Sequence, residues 1–484
     1  MLTKAAPVNW DPFLKHAHRV KYLQLFPATA GTSVAISGPV LSGLHQFLVR
    51  YSQTHNSSPF PRLQHVTCAV YGNRREVPGC LGPMLASPKL NKLVVVSRLH
   101  GGVSAPAGTN PLLPLADLIR SAAPSALELG DLTFNLDIML TIDAVDVDMV
   151  SRSILAATQD RLSHIYSTVP CSVAAWTYLS MGSRLTRLDS EMPLGVTREQ
   201  WHSLCQNQDG LLFPSLEELR FREGTSDDVL ALLRGISSRN LTKLDIWFTP
   251  PSDAPDLAQI CQEISRYRRL QHLTVNATRD WSSPPGLHII QQENAIMQLA
   301  PFQFLNTIRP LLELTRLSSF RFSVIIAPEI DDEDFRTMAE AWPCLQFLSL
   351  GGSREYGGHT HRASEDRLPT LRALTIISQD WWWLQEVNMP MSIRAAHLEI
   401  PAHDVSSRSK LRVVSTNGIH PNVQEYPSAR QLAEYLDTLF PTLQGTFNQI
   451  DTHPSWPPGQ SVLHELEGMK PGRLAQLALS PIIA

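Results

Sequence analysis

Very little in this 484-residue chain belongs to the vocabulary of catalysis or of membranes. It has six cysteines (68, 80, 171, 205, 261 and 344) and no C-x-x-C pair, so neither a thiolate metal site nor a disulfide framework is spelled out. They read instead as small buried hydrophobes in a reducing compartment, cytoplasmic or nuclear, which makes the sequons at Asn56, Asn240 and Asn276 incidental. No apolar run approaches the ~18 residues of a membrane span, and Met1–Phe13 lacks the apolar centre of a signal peptide. Net charge is only −4, which gives no overall drive toward nucleic acid or an anionic membrane. Phosphate loops, dinucleotide fingerprints and nucleophile elbows are all missing. With 43% apolar and 18% charged residues, the chain is also far from the composition of a disordered polymer.

What the chain does have is a recurring phrase: proline, any residue, leucine, two residues, an apolar residue. It appears as Pro61-Arg62-Leu63-Gln64-His65-Val66, Pro88-Lys89-Leu90-Asn91-Lys92-Leu93 and Pro214-Ser215-Leu216-Glu217-Glu218-Leu219. It returns as Pro343-Cys344-Leu345-Gln346-Phe347-Leu348 and Pro369-Thr370-Leu371-Arg372-Ala373-Leu374, and weakly at Pro441-Thr442-Leu443. Reading one alternate position further gives Leu-x-x-Leu-x-Leu at Leu216/Leu219/Phe221, Leu241/Leu244/Ile246, Leu270/Leu273/Val275, Leu317/Phe320/Phe322, Leu345/Leu348/Leu350 and Leu371/Leu374/Ile376. Weaker copies start at Val20, Leu63, Leu90, Leu129, Leu162, Leu185 and Ala395. The last two apolar residues of each phrase are two apart, the period of a strand with one buried face. Steps from 216 to 241 to 270 (25, then 29) and from 317 to 345 to 371 (28, then 26) fit the roughly 20–29-residue period of leucine-rich repeats.

Helical stretches fill the intervals. Asp256–Arg266 puts Leu257, Ile260, Cys261 and Ile264 on one face. Asp227–Arg234 follows Ser226, a reasonable N-cap, and Asp331-Asp332-Glu333-Asp334 opens a helix that runs to Trp342, where Pro343 stops it. The Pro-x-Leu phrase is then the corner from helix to strand. The predicted fold is an α/β leucine-rich-repeat horseshoe solenoid, ribonuclease-inhibitor-like, with irregular repeats and a parallel sheet on the concave face. Residues 1–456 are expected to form one solenoid, and 457–484 a C-terminal capping helix and tail. The position after each strand where such repeats carry a backbone-bonding asparagine holds Gly224, Thr249, Thr278, Ile325, Ser353 and Gln379, so the turns must be satisfied in another way.

Trp10-Asp11-Pro12-Phe13, followed by His16-Ala17-His18-Arg19-Val20-Lys21-Tyr22-Leu23, resembles the start of the repeat region in fungal F-box/leucine-rich-repeat proteins. The Phe213-Pro214-Ser215-Leu216 and Trp342-Pro343-Cys344-Leu345 corners fit the resemblance, as does Leu436-Asp437-Thr438-Leu439-Phe440-Pro441-Thr442-Leu443. It implies the substrate-recognition part of a cullin–RING ubiquitin ligase receptor. In that family the F-box helices that dock a Skp-type adaptor precede the Trp-x-x-Phe segment, so this chain as it stands is expected to engage a protein partner and not the adaptor. An alternative is an N-terminally incomplete F-box receptor. One of another class is a hydrolase or metal enzyme on a repeat scaffold.

The residues offer little for that last reading. His359-Thr360-His361 with Glu365 and Asp366 could supply zinc ligands, but no third ligand has a recognisable spacing and a solvated loop explains it. The four acids at 331–334 lack the alternating oxygens of a calcium loop and suit a helix start. No cofactor or metal is expected, and no enzymatic activity. Trp381-Trp382-Trp383 cannot all face one way, so at least one is expected at the surface, as a binding anchor or as cover for a strand at 371–376. The candidate site lies on the sheet. If Leu244 and Ile246 point inward, Asp245 and Trp247 point outward, with Arg220 and Arg222 on the preceding strand and Thr274 and Asn276 on the following one. Two arginines, a carboxylate, two neutral polar groups and an aromatic have the composition of a protein-interaction core.

Overall fold

The computed structural model describes residues 11–25, 46–70 apart from 49, 52, 56 and 57, 87–97, 129–135, 161–167, 173–193, 197–206, 212–249, 254–277, 302–324, 329–351, 368–394, 397–398, 409–416, 427–448 and 461–469. Its contacts divide the chain into two compact units. The first is Met1–Arg222 with Arg234–Asn240, and the second is Glu223–Leu233 with Leu241–Ala484.

In the first unit the strands are β1 (Tyr22–Leu25), β2 (His65–Val70), β3 (Lys92–Ser97), β4 (Asp131–Asn135), β5 (His164–Ser167), β6 (Arg187–Glu191) and β7 (Glu218–Gly224), whose last two residues belong to the second unit. Each pairs in parallel with the next in sequence: Leu23 faces Val66, Val66 faces Leu93, Leu93 faces Leu132, and Leu188 faces Leu219. In the second unit β8 (Lys243–Phe248), β9 (His272–Ala277), β10 (Ser319–Val324), β11 (Phe347–Leu350), β12 (Glu386–Asn388), β13 (Val413–Thr416) and β14 (Gly445–Asn448) pair in the same manner. Parallel strands joined only to their sequence neighbours, with helices in the crossovers, constitute an α/β leucine-rich-repeat fold with irregular repeats. The helices include α1 (Asp11–Ala17), α2 (Val173–Met181), α3 (Arg198–Gln206), α4 (Ser226–Gly235), α5 (Ala254–Ile264), α6 (Phe304–Ile308), α7 (Asp332–Ala341), α8 (Leu371–Asp380) and α9 (Ala429–Leu439).

The corner phrase is a β-turn. The phrase leucine donates its N–H to the carbonyl three residues back: Leu63 to Phe60, Leu90 to Ser87 and Leu216 to Phe213 in the first unit. In the second, Leu270 bonds Tyr267, Leu317 bonds Leu314, Leu345 bonds Trp342, Leu384 bonds Trp381 and Leu443 bonds Phe440. Proline at the second turn position, as in Pro61, Pro88, Pro214, Pro343 and Pro441, presets the φ that such a turn needs. The first turn residue is usually a buried aromatic, and three of these donate a polar tip to a carbonyl on an earlier repeat. Tyr267 Oη reaches Leu233 O at 2.7 Å, Trp342 Nε1 reaches Leu311 O at 3.1 Å, and Trp381 Nε1 reaches Trp342 O at 3.1 Å. A buried indole N–H without such a partner would be costly.

Main-chain bonds also pin the entries of the strands. The carbonyl just ahead of each strand accepts two N–H groups from the next repeat: Gln64 O takes Asn91 N and Lys92 N, both at 3.0 Å, and Gln271 O takes Ser318 N at 2.8 Å and Ser319 N at 3.0 Å. Helix starts are closed by reciprocal side-chain bonds at Thr197/Gln200, Thr225/Asp228, Asp331/Asp334 and Ser428/Gln431. Thr225, one residue earlier than expected, is therefore the cap of α4, and Ser226 instead bonds Asp256 across to α5. The expected face of α5 is buried throughout, and burial pushes the Cys261 thiol up to about 12.

Two expectations fail around residues 369–400. Leu371/Leu374/Ile376 is not a strand but the inner face of α8, capped by Thr370, so Pro369 precedes a helix. The strand of this repeat is β12, whose phrase reads Leu384/Val387/Met389, with Trp381 in the place of Trp342 and Trp382 in the place of Pro343. Of the phrase Ala395/Leu398/Ile400 only Leu398 lies among the described residues, and it is outside any strand; the next described strand is β13, carried by Leu411 and Val414. The three tryptophans separate accordingly: Trp381 is buried at 1% exposure, while Trp382 and Trp383 are 45% and 38% exposed. Cys205 and Cys261 are buried as read, but Cys344, on the outer limb of its turn, is exposed. A helix occupies 462–469.

Trp381→Ala is expected to destabilise the protein by about 3–5 kcal/mol, since it removes a large buried ring and leaves Trp342 O without its donor. Trp382→Ala should stay within about 0.5 kcal/mol of wild type. Chemical denaturation of both variants checks this.

Candidate protein-binding surface

In the first unit, alternation along β7 buries Leu219 and Phe221 and turns Arg220 and Arg222 to the other face, as expected. Lateral pairing adds what they meet there. Asp189 stands opposite Arg220, Glu191 opposite Arg222, and Tyr166 opposite Asp189. Arg222 Nη2 donates to Asp189 Oδ1 at 2.6 Å, its Nη1 lies 3.8 Å from Glu191 Oε1, and its guanidinium carbon sits 5.8 Å from the Tyr166 ring centre. Arg220 Nη1 is 3.6 Å from Asp189 Oδ2. Burial pushes the Asp189 carboxyl above its ordinary range, against the pull of Arg222 and then Arg220. Burial also opposes the charge on Arg222, but Asp189, Glu191 and Tyr166 together outweigh it and hold the guanidinium above its usual value. The two arginines thus differ. Arg222, with 18% of its side chain exposed, is a fixture of the sheet, whereas Arg220 at 44% is presented to solvent.

In the second unit, Asp245 faces Thr274 and Trp247 faces Asn276 across the β8–β9 pair, so these four residues are brought together. Asp245 is more covered than expected, with 8% exposure. Trp247 Nε1 donates to its Oδ1 at 2.5 Å. Asp245 therefore orients the indole, and Trp247, Thr274 and Asn276, each half-buried, form the accessible part. The same row continues through Arg321 on β10, Ser349 on β11 and Asn388 on β12. Arg321 lies 5.3 Å from the Phe347 ring centre, and Asn388 Nδ2 donates to Ser349 Oγ at 3.3 Å. Arg321 could have been found by the same alternation, since it stands between Phe320 and Phe322. Asp189 and Glu191 were hidden because Ser190 occupies the third apolar place of their phrase.

The acid run 331–334 is consumed by structure. Asp331 and Asp334 close the start of α7, Asp332 accepts from Thr370 N and Thr370 Oγ1, both at 2.7 Å, and Glu333 pairs with Arg336 and Arg372. His359, His361, Glu365 and Asp366 lie outside the described residues. Among the described residues no three of histidine, cysteine, aspartate and glutamate gather as a metal site would require, and no helix is long and apolar enough to cross a membrane.

No protein-family model matches the chain, and no curated protein matches it in sequence. Among solved structures it is similar to the leucine-rich repeat-containing protein LegL7 from Legionella pneumophila, at 11% identity, over 92% of this chain and 98% of that one, with a TM-score of 0.30. A likeness at that score carries no weight here, and the repeat fold rests on the strand pairing described above.

Arg222→Ala should cost about 1–3 kcal/mol, because it leaves the largely buried Asp189 and Glu191 carboxylates without their main cation. Arg220→Ala should change stability by less than about 0.5 kcal/mol. Thermal or denaturant unfolding of the two variants separates a structural arginine from a presented one.

Proposed function

We propose that the chain is a protein-binding module that takes its partner on the face of the sheet opposite the helices. The observation that carries this reading is Trp247, a half-buried indole held by Asp245 beside Thr274 and Asn276. An oriented aromatic beside Thr274 and Asn276 is the composition of an interface anchor. Arg220, with Arg222 behind it, supplies the same kind of contact in the first unit. The strand face offers main-chain rigidity, so such side chains are presented with little ordering cost.

The resemblance of the Trp10–Leu23 segment and of the corners to fungal F-box/leucine-rich-repeat proteins supports a finer reading. In it, the chain is the substrate-recognition part of a ubiquitin-ligase receptor. The adaptor contact in that family belongs to the F-box helices, so the repeats alone should capture a substrate and not a Skp-type adaptor. Co-purification of the adaptor with this chain at micromolar affinity would contradict that assignment.

The test of the surface is affinity capture from the source cells with wild type, Trp247→Ala, Arg220→Ala and Leu244→Ala. Trp247→Ala and Arg220→Ala should weaken recovery of the partner, by about 2 kcal/mol for a well-packed anchor, while leaving the melting temperature within a few degrees. Leu244→Ala, a fully buried residue, should instead lower stability by about 2–5 kcal/mol. If Trp247→Ala unfolds like Leu244→Ala and partner recovery is unchanged, the surface is wrongly assigned.

A further inference from the structure

A second surface follows from the corners, at the ends of the strands. In the first unit the residue immediately before the phrase leucine is Arg19, Arg62 and Lys89 ahead of β1, β2 and β3, and Arg161 and Arg184 ahead of β5 and β6; in sequence Glu128 holds that place ahead of β4 and Ser215 ahead of β7. The geometry of the turn explains their exposure. Its first and fourth residues, Phe60 and Leu63 for instance, fill the core, so the third is forced outward. All five cations are exposed, and none forms an ion pair with a described residue. The next row inward is neutralised within the sheet, by Lys92 with Asp131 at 2.8 Å and Arg187 with Glu218 at 3.0 Å. The uncompensated charge therefore concentrates on the corner edge. Lys21, two residues beyond Arg19, is exposed and adds to it.

We infer that this edge of the first unit binds an acidic, extended polypeptide segment laid across the strand ends. The cations ride on β1, β2, β3, β5 and β6, at about 4.8 Å per strand and so over about 24 Å, within the reach of eight or so extended residues. Four of the five are arginines, and a guanidinium fork matches a carboxylate pair. Nucleic acid fits less well. A single strand asks for aromatic platforms, and the turn residues between the cations are His18, Pro61, Pro88 and Ser183, while the aromatic Phe60 is buried.

The probe is a fluorescein-labelled oligoglutamate of twelve residues, titrated with the full chain and read by anisotropy at low salt, beside a labelled oligouridylate of equal length. Micromolar binding of the peptide is expected, weakened at least tenfold by the Arg62→Glu/Lys89→Glu double variant and lost at 0.5 M salt. Trp247→Ala should leave it unchanged, which separates this edge from the strand-face surface. Both substituted positions are exposed, and an unaltered melting curve confirms that the variant is folded. Failure of the peptide to bind, equal affinity in the double variant, or tighter binding of the oligouridylate would each overturn the inference.

Discussion

The structure depends on one carbonyl per repeat, the one just ahead of each strand, which accepts two N–H groups from the following repeat. Lys21, Gln64, Asn91, Gly130, Ser163 and Thr186 play this part in the first unit, and Thr242, Gln271, Ser318, Gln346 and Gln385 in the second. A carbonyl has two lone pairs, and here both are used, so the entry to every strand is pinned to its neighbour before any side chain is considered. Because both N–H groups come from the main chain, the residue at that position can be basic, polar or glycine. Repeats whose side chains have diverged can still stack, which is how an array this irregular keeps a regular register.

Side chains add a second layer of the same logic. The ring at the corner fills the core, and its polar tip reaches back to an earlier repeat, so burial and hydrogen bonding are satisfied by one residue. In the first unit the aromatic cluster of Trp176, Trp201, Phe213 and Phe221 packs with ring centres 5.3–6.0 Å apart, and Phe213 accepts a positive φ of 52° to take its place. A non-glycine residue rarely adopts that conformation, at a cost of about 1–2 kcal/mol, so tertiary packing there outweighs local preference.

Most of the fold was legible because the phrase combines a turn signal, a buried leucine and a period-two tail, three features that rarely coincide by chance. It misled at Leu371, where the spacing of 371, 374 and 376 also suits a helix. The adjacent Ala373 and Ile377, both buried, show the helical period. The corner of that repeat carries no proline signal, because Trp382 stands in the place that Pro343 holds in the repeat before it. On the candidate surface, alternation was enough to identify Arg220 and Arg222 as facing away from Leu219 and Phe221. It could not reveal that Asp189 ties up one of them, since lateral neighbours lie one repeat away in sequence and their register is set by main-chain bonds. Nor could it foresee that Asp245 is covered by the indole it holds.

The corner also determines where the chain can grow. From phrase leucine to first strand residue the count is the same two steps at Leu63, Leu90, Leu216, Leu270, Leu317, Leu345 and Leu384. From strand end to next corner it ranges freely: Ala277 to Leu314 is much longer than Val324 to Trp342. One residue added inside the constant segment would turn every side chain of that strand to the opposite face. Added after the strand, the same residue only lengthens a connection, at a small entropic cost. Gene-level insertions, and grafted epitopes or reporters, are therefore accommodated downstream of each strand and rejected upstream of it.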